Sequence, residues 1–235
     1  MDIEVIASGS SGNCYIIHDG KSNLMIECGI TYRQLQERTG YRPLDLAGCI
    51  VSHEHMDHAK GVSELIRRGV PVWMTAGTKK AALGSAGANV FKESRDSIVM
   101  IGSYSVLPVK VHHDAAEPVG FSIYSTETEE ALMFFTDCTE PPLLDMRRCD
   151  YIMAECNYSE ELIGARVDSG VLDRTLYSRI IDSHLSLETL EWSLQLYGTD
   201  RLKELWLIHV SANNIYPLAA KTTMQGIVGC PVYIA

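Results

Sequence analysis

The chain has 235 residues, 46% of them hydrophobic, and a formal net charge of −10 at pH 7. This composition provides a sizeable core and excludes a low-complexity chain. The acidic charge argues against a broad basic surface for nonspecific nucleic-acid binding, although bound metal ions can supply local positive charge. No run of eighteen apolar residues occurs, and the start of the chain lacks the basic and apolar regions of a secretory signal. We therefore expect no membrane span and no export.

The seven cysteines are scattered along the chain, and no two of them form a CxxC pair. An odd number of scattered cysteines fits free thiols in a reducing cytoplasm better than a disulfide framework. We therefore expect a cytoplasmic protein.

Apolar runs bounded by turn residues predict strands along the first half of the chain. These runs are IEVIA, CYIIHD, SNLMIECG, LAGCIV, PVWMTAG, SIVMIGSYSVLPVKV, VGFSIYST and ALMFFTD. Between them, ITYRQLQERTG and GVSELIRRG have helical spacing and end in glycine, which predicts two helices.

The second half of the chain alternates between strands and helices. YIMAEC, ELWLIHVS and PVYIA are predicted strands, and SLETLEWSLQLYG and PLAAKTTMQGIVG are predicted helices. No linker, repeat or charge block interrupts the pattern. The sequence therefore predicts one α/β domain over residues 1–235, with helices outside sheets.

The most distinctive stretch is VSHEHMDHAKG, where an apolar strand runs into His53, His55, Asp57 and His58. Imidazole and carboxylate groups are ligands for zinc, manganese or iron. His53 and His55 are two residues apart, so they are not the pair that a helical HExxH motif provides. On a loop leaving the strand, both can turn toward one ion, and Asp57 and His58 toward a second. The alternative is a polar loop with chance histidines, which would make such a dense cluster costly to order.

Further candidate ligands follow apolar strands elsewhere, on loops of the kind where binding residues converge. They are His112 and His113 in VKVHHDAAEP, Asp137 in MFFTDCTE and His209 in LWLIHVSANN. Taken singly, Asp137 can be a cap, His209 a hydrogen-bonded core residue and either tandem histidine a surface residue. Together with HEHMDH they provide enough ligands for two metal ions.

HEHMDH matches the HxHxDH motif of the metallo-β-lactamase fold. Around it, in the family's order, occur ASGSSGNCYII, IECG, HDAAEPVGF, TDCTE, AECNYSEE, SHLSLE and HVSANN. This set spans nearly the whole chain and resembles the YycJ/WalJ-type branch, whose members are small cytoplasmic bacterial and phage proteins associated with exonuclease activity on DNA. The resemblance implies an α/β (α+β) fold, a four-layer αββα sandwich with its site on loops at one edge of the two sheets.

The resemblance also implies a site for two divalent metal ions. Its ligands would be His53, His55 and His113 for one ion and Asp57, His58 and His209 for the other, with Asp137 bridging both. We choose His113 over His112 because HDA is the part that matches, and neighbours on a strand point to opposite faces. Zinc is the usual metal of histidine-rich sites, and manganese fits the same ligands.

Catalysis in such a site would use a water between the two ions, whose pKa the cations lower, with Asp57 orienting it. In nuclease branches of the fold, a histidine oriented by an acidic residue protonates the leaving oxygen. The matching residues are His184 in SHLSLE and Glu155 in AECN. The alternative for His184 is a helix-start residue, since Ser183 and Ser186 both look like caps.

Two polar loops leave a choice between function and structure. They carry Ser8, Ser10, Ser11 and Asn13 near the start and Ser211, Asn213 and Asn214 after His209. The second group can donate hydrogen bonds to a phosphate or form an ordinary turn. The first group can support the metal site, because in related proteins this loop lies close to it.

Four differences from related proteins bear on the expected function. Glu27 of IECG stands where the family has an aspartate that braces the metal-binding loop, so its partner can shift. Only 28 residues separate Glu155 from His184, which leaves no room for the inserted domain of ribonuclease J and polyadenylation-factor nucleases. Ala154 replaces a histidine of ribonuclease Z, and HEHMDH contains no cysteine, so tRNA processing and lactam hydrolysis are disfavoured.

The sequence thus favours a two-metal phosphodiesterase or exonuclease that acts on nucleic acid, with DNA as the expected substrate and no membrane partner. A small-molecule hydrolase acting on a thioester, lactone or cyclic phosphodiester is the first alternative, and a metal-binding regulator with little turnover is the second. Basic residues that can meet a nucleic-acid backbone are sparse. They are Arg67, Arg68, Lys79, Lys80, Arg147, Arg148, Arg174 and Arg179. The motifs do not specify the oligomeric state.

Overall fold

The computed structural model describes residues 1–84, 87–92 and 98–235. These residues form two compact units. The first unit contains residues 1–110 and 115–130, and the second contains residues 111–114 and 131–235. The single domain expected over residues 1–235 stays a prediction. Among the described residues, no helix has the length and apolar character needed to cross a membrane.

The first unit contains nine strands and four helices within its described residues. The strands are β1 (Asp2–Ala7), β2 (Cys14–His18), β3 (Asn23–Ile26), β4 (Leu46–Ile50), β5 (Val72–Met74), β6 (Asn89–Val90), β7 (Val99–Ile101), β8 (Tyr104–Lys110) and β9 (Val119–Ser125). The helices are α1 (Tyr32–Arg38), α2 (Met56–Ala59), α3 (Val62–Arg67) and α4 (Ala76–Leu83).

Strands β1 to β6 form one sheet in sequence order. β1, β2 and β3 are antiparallel neighbours, because short turns join them. From β3 to β6 the strands are parallel, and each connection contains a helix that returns the chain to the same end of the sheet. Leu35 of α1 and Val62 and Leu65 of α3 pack with Ile16 and Met25 of the sheet in one buried cluster.

Strands β7, β8 and β9 form an antiparallel meander in the same unit. The predicted single run SIVMIGSYSVLPVKV is therefore a hairpin that turns at Gly102 and Ser103, and its first residue, Ser97, lies outside the described residues. Gly102 has a φ of 61°, and a Cβ there would lie 2.5 Å from the Ser22 hydroxyl oxygen. The turn therefore requires glycine.

The second unit is built on four parallel strands. They are β10 (Ala131–Phe135), β11 (Tyr151–Glu155), β12 (Glu204–Ile208) and β13 (Val232–Ile234), in that order. The helices are α5 (Glu160–Asp168), α6 (Arg174–Ser183), α7 (Leu187–Tyr197) and α8 (Pro217–Val228), with a 3₁₀ turn at Met146–Arg148. Leu190 of α7 and Met224 of α8 pack with Met133, Ile152 and Leu205 of these strands. Because the strands are parallel, the residues at their carboxyl ends meet at one edge.

The α/β class and the predicted strands and helices are confirmed, but five helices and strands were not predicted. They are α2, α4, β6, α5 and α6. The helices α5 and α6 begin at capping residues, Ser159 and Asp173, whose side chains accept backbone N–H groups. Ser186 also caps a helix as expected, whereas Ser183 is the last residue of α6 and not a helix start.

All seven cysteines are free thiols, as predicted. Six are buried, and Cys230 is half-buried. Burial raises the pKa of the Cys149 thiol to about 11, with the nearby Asp150 and Asp145 carboxylates adding to the effect. The thiol form is therefore the stable one at neutral pH.

A buried carboxylate, Asp19, joins three segments of the first unit. Its Oδ1 accepts the backbone N–H groups of Lys21 (3.0 Å) and Ser22 (2.8 Å). Its Oδ2 accepts the hydroxyl groups of Ser103, in the β7–β8 turn, and Ser125, at the end of β9 (2.7 Å). Burial alone would raise the pKa of Asp19, but these hydrogen bonds outweigh it and the pKa is lowered.

Replacing Asp19 with asparagine removes the charged acceptor of these hydrogen bonds, and we expect the free energy of unfolding at neutral pH to fall by about 1–3 kcal/mol. Because the folded-state pKa is lowered, this stabilisation is fully present above the unfolded-state value of about 3.9 and is lost as the pH falls through the folded-state value. Urea unfolding measures the free energy of unfolding of wild type, Asp19→Asn and the exposed control Asp200→Asn, at neutral pH and at about pH 3. An equal deficit at both pH values would contradict the assignment.

Candidate metal centre

The first unit places the histidine cluster at the carboxyl end of β4. His53 and His55 lie on the loop that leaves this strand, as predicted, and His55 is the residue before α2. Asp57 and His58 lie in α2 and not on the loop, so this short helix was missed. The His53 ring centroid is 4.7 Å from that of His55 and 4.2 Å from that of His58. The three imidazoles therefore face one small volume.

Asp57 and His58 have the spacing of two ligands on one cation. Asp57 Oδ2 and His58 Nε2 are 3.4 Å apart. Two ligands bound to a tetrahedral ion at about 2.1 Å are themselves about 3.4 Å apart. Both atoms carry lone pairs when the carboxylate is ionised and Nε2 is unprotonated, so this donor set fits a divalent metal ion.

Glu27 supports this cluster through contacts with Ser52 and His58. Its side chain is fully buried, and its two oxygens lie 3.2 and 3.4 Å from the backbone nitrogen of Ser52, which donates to them. Glu27 Oε2 is also 3.6 Å from His58 Nδ1. The glutamate that departs from the family pattern therefore contacts both the start of the metal-binding loop and a candidate ligand, and its negative charge favours a proton on Nδ1 and a lone pair on Nε2.

Backbone contacts fix the position of α2. The Asn13 backbone N–H donates to the Asp57 carbonyl oxygen (2.7 Å), and the Asn13 side-chain amide lies 3.2 Å from both that oxygen and His58 Nε2. A Cβ at Gly29 would lie 1.6 Å from the Asp57 carbonyl oxygen. The SGSSGN loop therefore supports α2 through Asn13. Residue 29 must be glycine, because a side chain there would collide with the Asp57 carbonyl oxygen.

In the second unit, three acidic or histidine side chains meet where parallel strands end. Asp137 follows β10, Glu155 ends β11 and His209 follows β12. Asp137 and His209 have positive φ values of 49° and 51°, and in the first unit Glu27, which follows β3, has 63°. Non-glycine residues rarely adopt this left-handed conformation, and they concentrate at functional sites.

Glu155 is the centre of this group. Its side chain is fully buried, and Oε1 accepts from Nδ1 of His184 and Nδ1 of His209, both at 2.8 Å. Oε2 accepts the backbone N–H groups of Cys138 (3.2 Å) and Leu185 (3.1 Å). Because four donors occupy the carboxylate, Glu155 orients the two histidines and is not itself available as a metal ligand.

These hydrogen bonds assign different chemistry to the two histidines. An ionised carboxylate only accepts, so each Nδ1 carries its proton. Neutral His209, whose side chain is 3% exposed, then presents a lone pair at Nε2 for a cation. His184 is 22% exposed, so its Nε2 can reach a substrate. Its Nδ1 is 3.4 Å from Asp137 Oδ1.

Opposing effects set the charge of the His184–Glu155 pair. Burial disfavours the imidazolium, but the charge of Glu155, its hydrogen bond and the charge of Asp137 outweigh burial and raise the pKa of His184. Burial likewise works against ionised Glu155, yet the positive charge and hydrogen bond of His184 lower the pKa of this carboxyl. The pair therefore favours an imidazolium–carboxylate form that has a proton to give.

The tandem histidines differ in environment. His112 is 72% exposed, and its Nε2 lies 3.8 Å from Glu140 Oε1. The His113 side chain is only 3% exposed, and its ring centroid is 6.3 Å from that of His184. Within the second unit, His113 is thus the member of the pair that lies with the other candidate residues.

Two residues that sequence analysis missed hold the loop after His209. Asn157 donates its side-chain amide to the His209 carbonyl oxygen (3.1 Å). Arg166 of α5 donates to the carbonyl oxygen of Asn213 and lies 3.5 Å from the side-chain oxygen of Asn214. The loop containing Ser211, Asn213 and Asn214 is therefore a structured turn. The position of Asn157, two residues after the apolar strand β11, is the signal that could have identified it.

Comparison with known proteins places this arrangement in a family. The model of the metallo-β-lactamase superfamily matches residues 7–131. The exodeoxyribonuclease YycJ of Bacillus anthracis is 25% identical, and the alignment covers 96% of this chain and 88% of that protein. The exodeoxyribonuclease WalJ of Streptococcus pneumoniae strain D39 is 27% identical, with 94% of this chain and 86% of that protein covered. These matches confirm the resemblance found in the sequence motifs.

Solved structures agree on the fold. The metallo-β-lactamase fold protein YhfI from Bacillus subtilis superposes with a TM-score of 0.73 at 17% identity, covering 99% of this chain and 95% of that one. Human tRNase Z, short form, has a TM-score of 0.64 at 13% identity, covering 100% and 96%. The sequence motifs, the histidine and carboxylate clusters and these matches agree. The chain belongs to the metallo-β-lactamase superfamily and is a metal-dependent hydrolase.

Proposed function

We propose that the chain is a two-metal phosphodiesterase that digests nucleic acid from an end, with DNA as its substrate, in the cytoplasm. The observation that carries the proposal is the His184–Glu155 hydrogen bond of 2.8 Å. Hydrolysis of a nucleic-acid phosphodiester expels an alkoxide, which needs a proton, whereas hydrolysis of a thioester expels a thiolate, which leaves without one. The exodeoxyribonuclease names of relatives at 25–27% identity support the choice of DNA.

The proposed ligands are those that the family motifs indicate. His53, His55 and His113 would hold one ion, Asp57, His58 and His209 would hold the other, and Asp137 would be shared by the two. The donor chemistry supports this assignment, because each residue offers an imidazole nitrogen or a carboxylate oxygen, and zinc and manganese accept both. When bound, two such ions lower the pKa of a water molecule and offset negative charge on the phosphate.

The side chains then divide the remaining work. The Asp57 carboxylate accepts a proton from the attacking water and aims its lone pair at phosphorus. His184 donates a proton from Nε2 to the leaving oxygen, while Glu155 holds Nδ1 and stabilises the imidazolium before transfer. Glu27 and Asn13 keep Asp57 and His58 in place through the contacts described above.

A general-acid role for His184 predicts a dependence on the leaving group. We expect His184→Ala to lower kcat on end-labelled DNA about 10²–10⁴-fold, because the leaving alkoxide then departs without its proton. On thymidine 5′-(p-nitrophenyl phosphate), whose leaving group needs no proton, the loss should be less than about tenfold. Steady-state rates on both substrates, with the bound metal quantified in each sample, measure this.

Asp57→Ala is the companion variant in that experiment and should abolish hydrolysis of both substrates, as should removal of metal with a chelator. Equal losses for His184→Ala on the two substrates would contradict the general-acid role. If two-metal protein cleaves the nitrophenyl ester but no DNA or RNA, the nucleic-acid substrate is wrong, and a small-molecule hydrolase takes its place.

The tandem histidines provide a matched pair for the metal assignment. We expect His113→Ala to lower the bound metal by about one ion per chain and His112→Ala to leave it unchanged, because only His113 is buried with the other candidate residues. Inductively coupled plasma mass spectrometry after dialysis measures the metal content directly. Loss of metal from His112→Ala, or full retention in His113→Ala, would overturn this choice.

A further inference from the structure

A groove of about 380 Å³ lies between α1 and α3 in the first unit, and its lining contains none of the candidate metal ligands. Tyr32 and Gln36 line it from α1, and Glu64 and Arg68 line it from α3 and its end. Each helix thus contributes residues four positions apart, which lie on one face. This volume falls in the range of small-ligand sites.

Two of the lining residues, Tyr32 and Arg68, are stacked on each other. The Arg68 guanidinium carbon lies 3.8 Å from the centroid of the Tyr32 ring. Glu64 fixes the guanidinium through a hydrogen bond from Arg68 Nε to its Oε1 (2.9 Å). Arg68 remains 47% exposed, so a planar, delocalised surface faces the solvent. Nucleobases stack on aromatic rings and on guanidinium planes of this kind.

The groove is also a cationic region on an acidic chain. Its lining contains three cations, Arg33, Lys60 and Arg68, and one acidic residue, Glu64, whereas the whole chain has a net charge of −10. Arg33 pairs with Glu37 (2.8 Å), and Arg68 pairs with Glu64. Lys60 is exposed, and within residues 1–84, 87–92 and 98–235 no acidic side chain pairs with it. Lys60 is therefore the cation available for an external phosphate.

Backbone hydrogen bonds connect the groove to the helix α2, which carries two candidate metal ligands of the same unit. Lys60 is two residues after His58, and the Gly61 N–H donates to the Cys28 carbonyl oxygen (2.8 Å). The Cys28 N–H in turn donates to the His58 carbonyl oxygen (2.8 Å). The backbone that lines the groove is therefore hydrogen-bonded to the segment that carries a candidate ligand.

We propose that this groove binds a single-stranded segment of the nucleic-acid substrate, with a phosphate at Lys60 and an unpaired base on the Tyr32–Arg68 pair. The inference rests on the proposed function for the nature of the substrate. A single strand is favoured because a paired base inside a duplex has no free face to stack. The groove then holds the substrate strand at a distance from the bond that is cut.

The test measures binding separately from cleavage. A fluorescein-labelled phosphorothioate oligothymidine, which resists hydrolysis, is titrated with metal-loaded wild type and variants, and anisotropy gives the Kd. We expect Tyr32→Ala and Arg68→Ala each to weaken binding about tenfold, the size of one base stack, and Tyr32→Phe to bind like wild type. Lys60→Ala should lower the slope of log Kd against log salt concentration by about 0.7, as for one lost phosphate contact on a single strand.

Lys21→Ala is the matched control, because it removes an exposed lysine at the β2–β3 turn, at the opposite end of β3 from Glu27. If Tyr32→Ala, Arg68→Ala and Lys60→Ala bind like Lys21→Ala while wild type still degrades DNA, the groove is not a substrate site and the proposed function stands. If wild type neither binds the oligonucleotide nor degrades DNA or RNA, the proposed function and the groove both fail. Thermal unfolding of each variant verifies that a weaker Kd does not come from lost folding.

Discussion

The buried carboxylate of Glu155 is the constraint on which the second unit's chemistry depends. A fully buried charge is costly unless it is hydrogen-bonded and paired, and here two backbone N–H groups and two imidazoles meet those needs. The same contacts fix the tautomers of His184 and His209. One oxygen atom, Oε1, thereby prepares one ring to give a proton and the other to give a lone pair.

The fold supplies this arrangement through parallel strands and local backbone strain. β10, β11 and β12 end side by side, so residues far apart in sequence reach one edge. Asp137 and His209 turn there through the left-handed region, as Glu27 does in the first unit after β3. Such conformations cost about 1–3 kcal/mol each, and packing must maintain them. Cores built on Met25 in one unit and Ile152 in the other provide that packing.

Much of this could be predicted from the sequence, because apolar runs end in chemically distinctive residues. β4 leads into His53, β10 into Asp137 and β12 into His209, and each was identified from that pattern. Helices α4 and α5 were missed because Ala, Gly, Lys and Glu obscure their apolar periodicity. Helix α6 contains none of these residues and its apolar residues have helical spacing, so its periodicity was an available signal, as were the caps of the three helices at Thr75, Ser159 and Asp173. The support from Arg166 depends on a tertiary contact that no local pattern encodes.

The close approach of Gly29 to Asp57 affects how mutational data on this chain must be interpreted. Residue 29 has no side chain to bind a metal, a proton or a substrate. Any substitution would nevertheless push against the carbonyl oxygen of a candidate catalytic residue. In a substitution scan scored by activity alone, this position would resemble a member of the catalytic machinery. Gly29 contributes instead by having no side chain, which leaves room for the Asp57 carbonyl oxygen. Only a structure distinguishes this contribution from that of a reacting group.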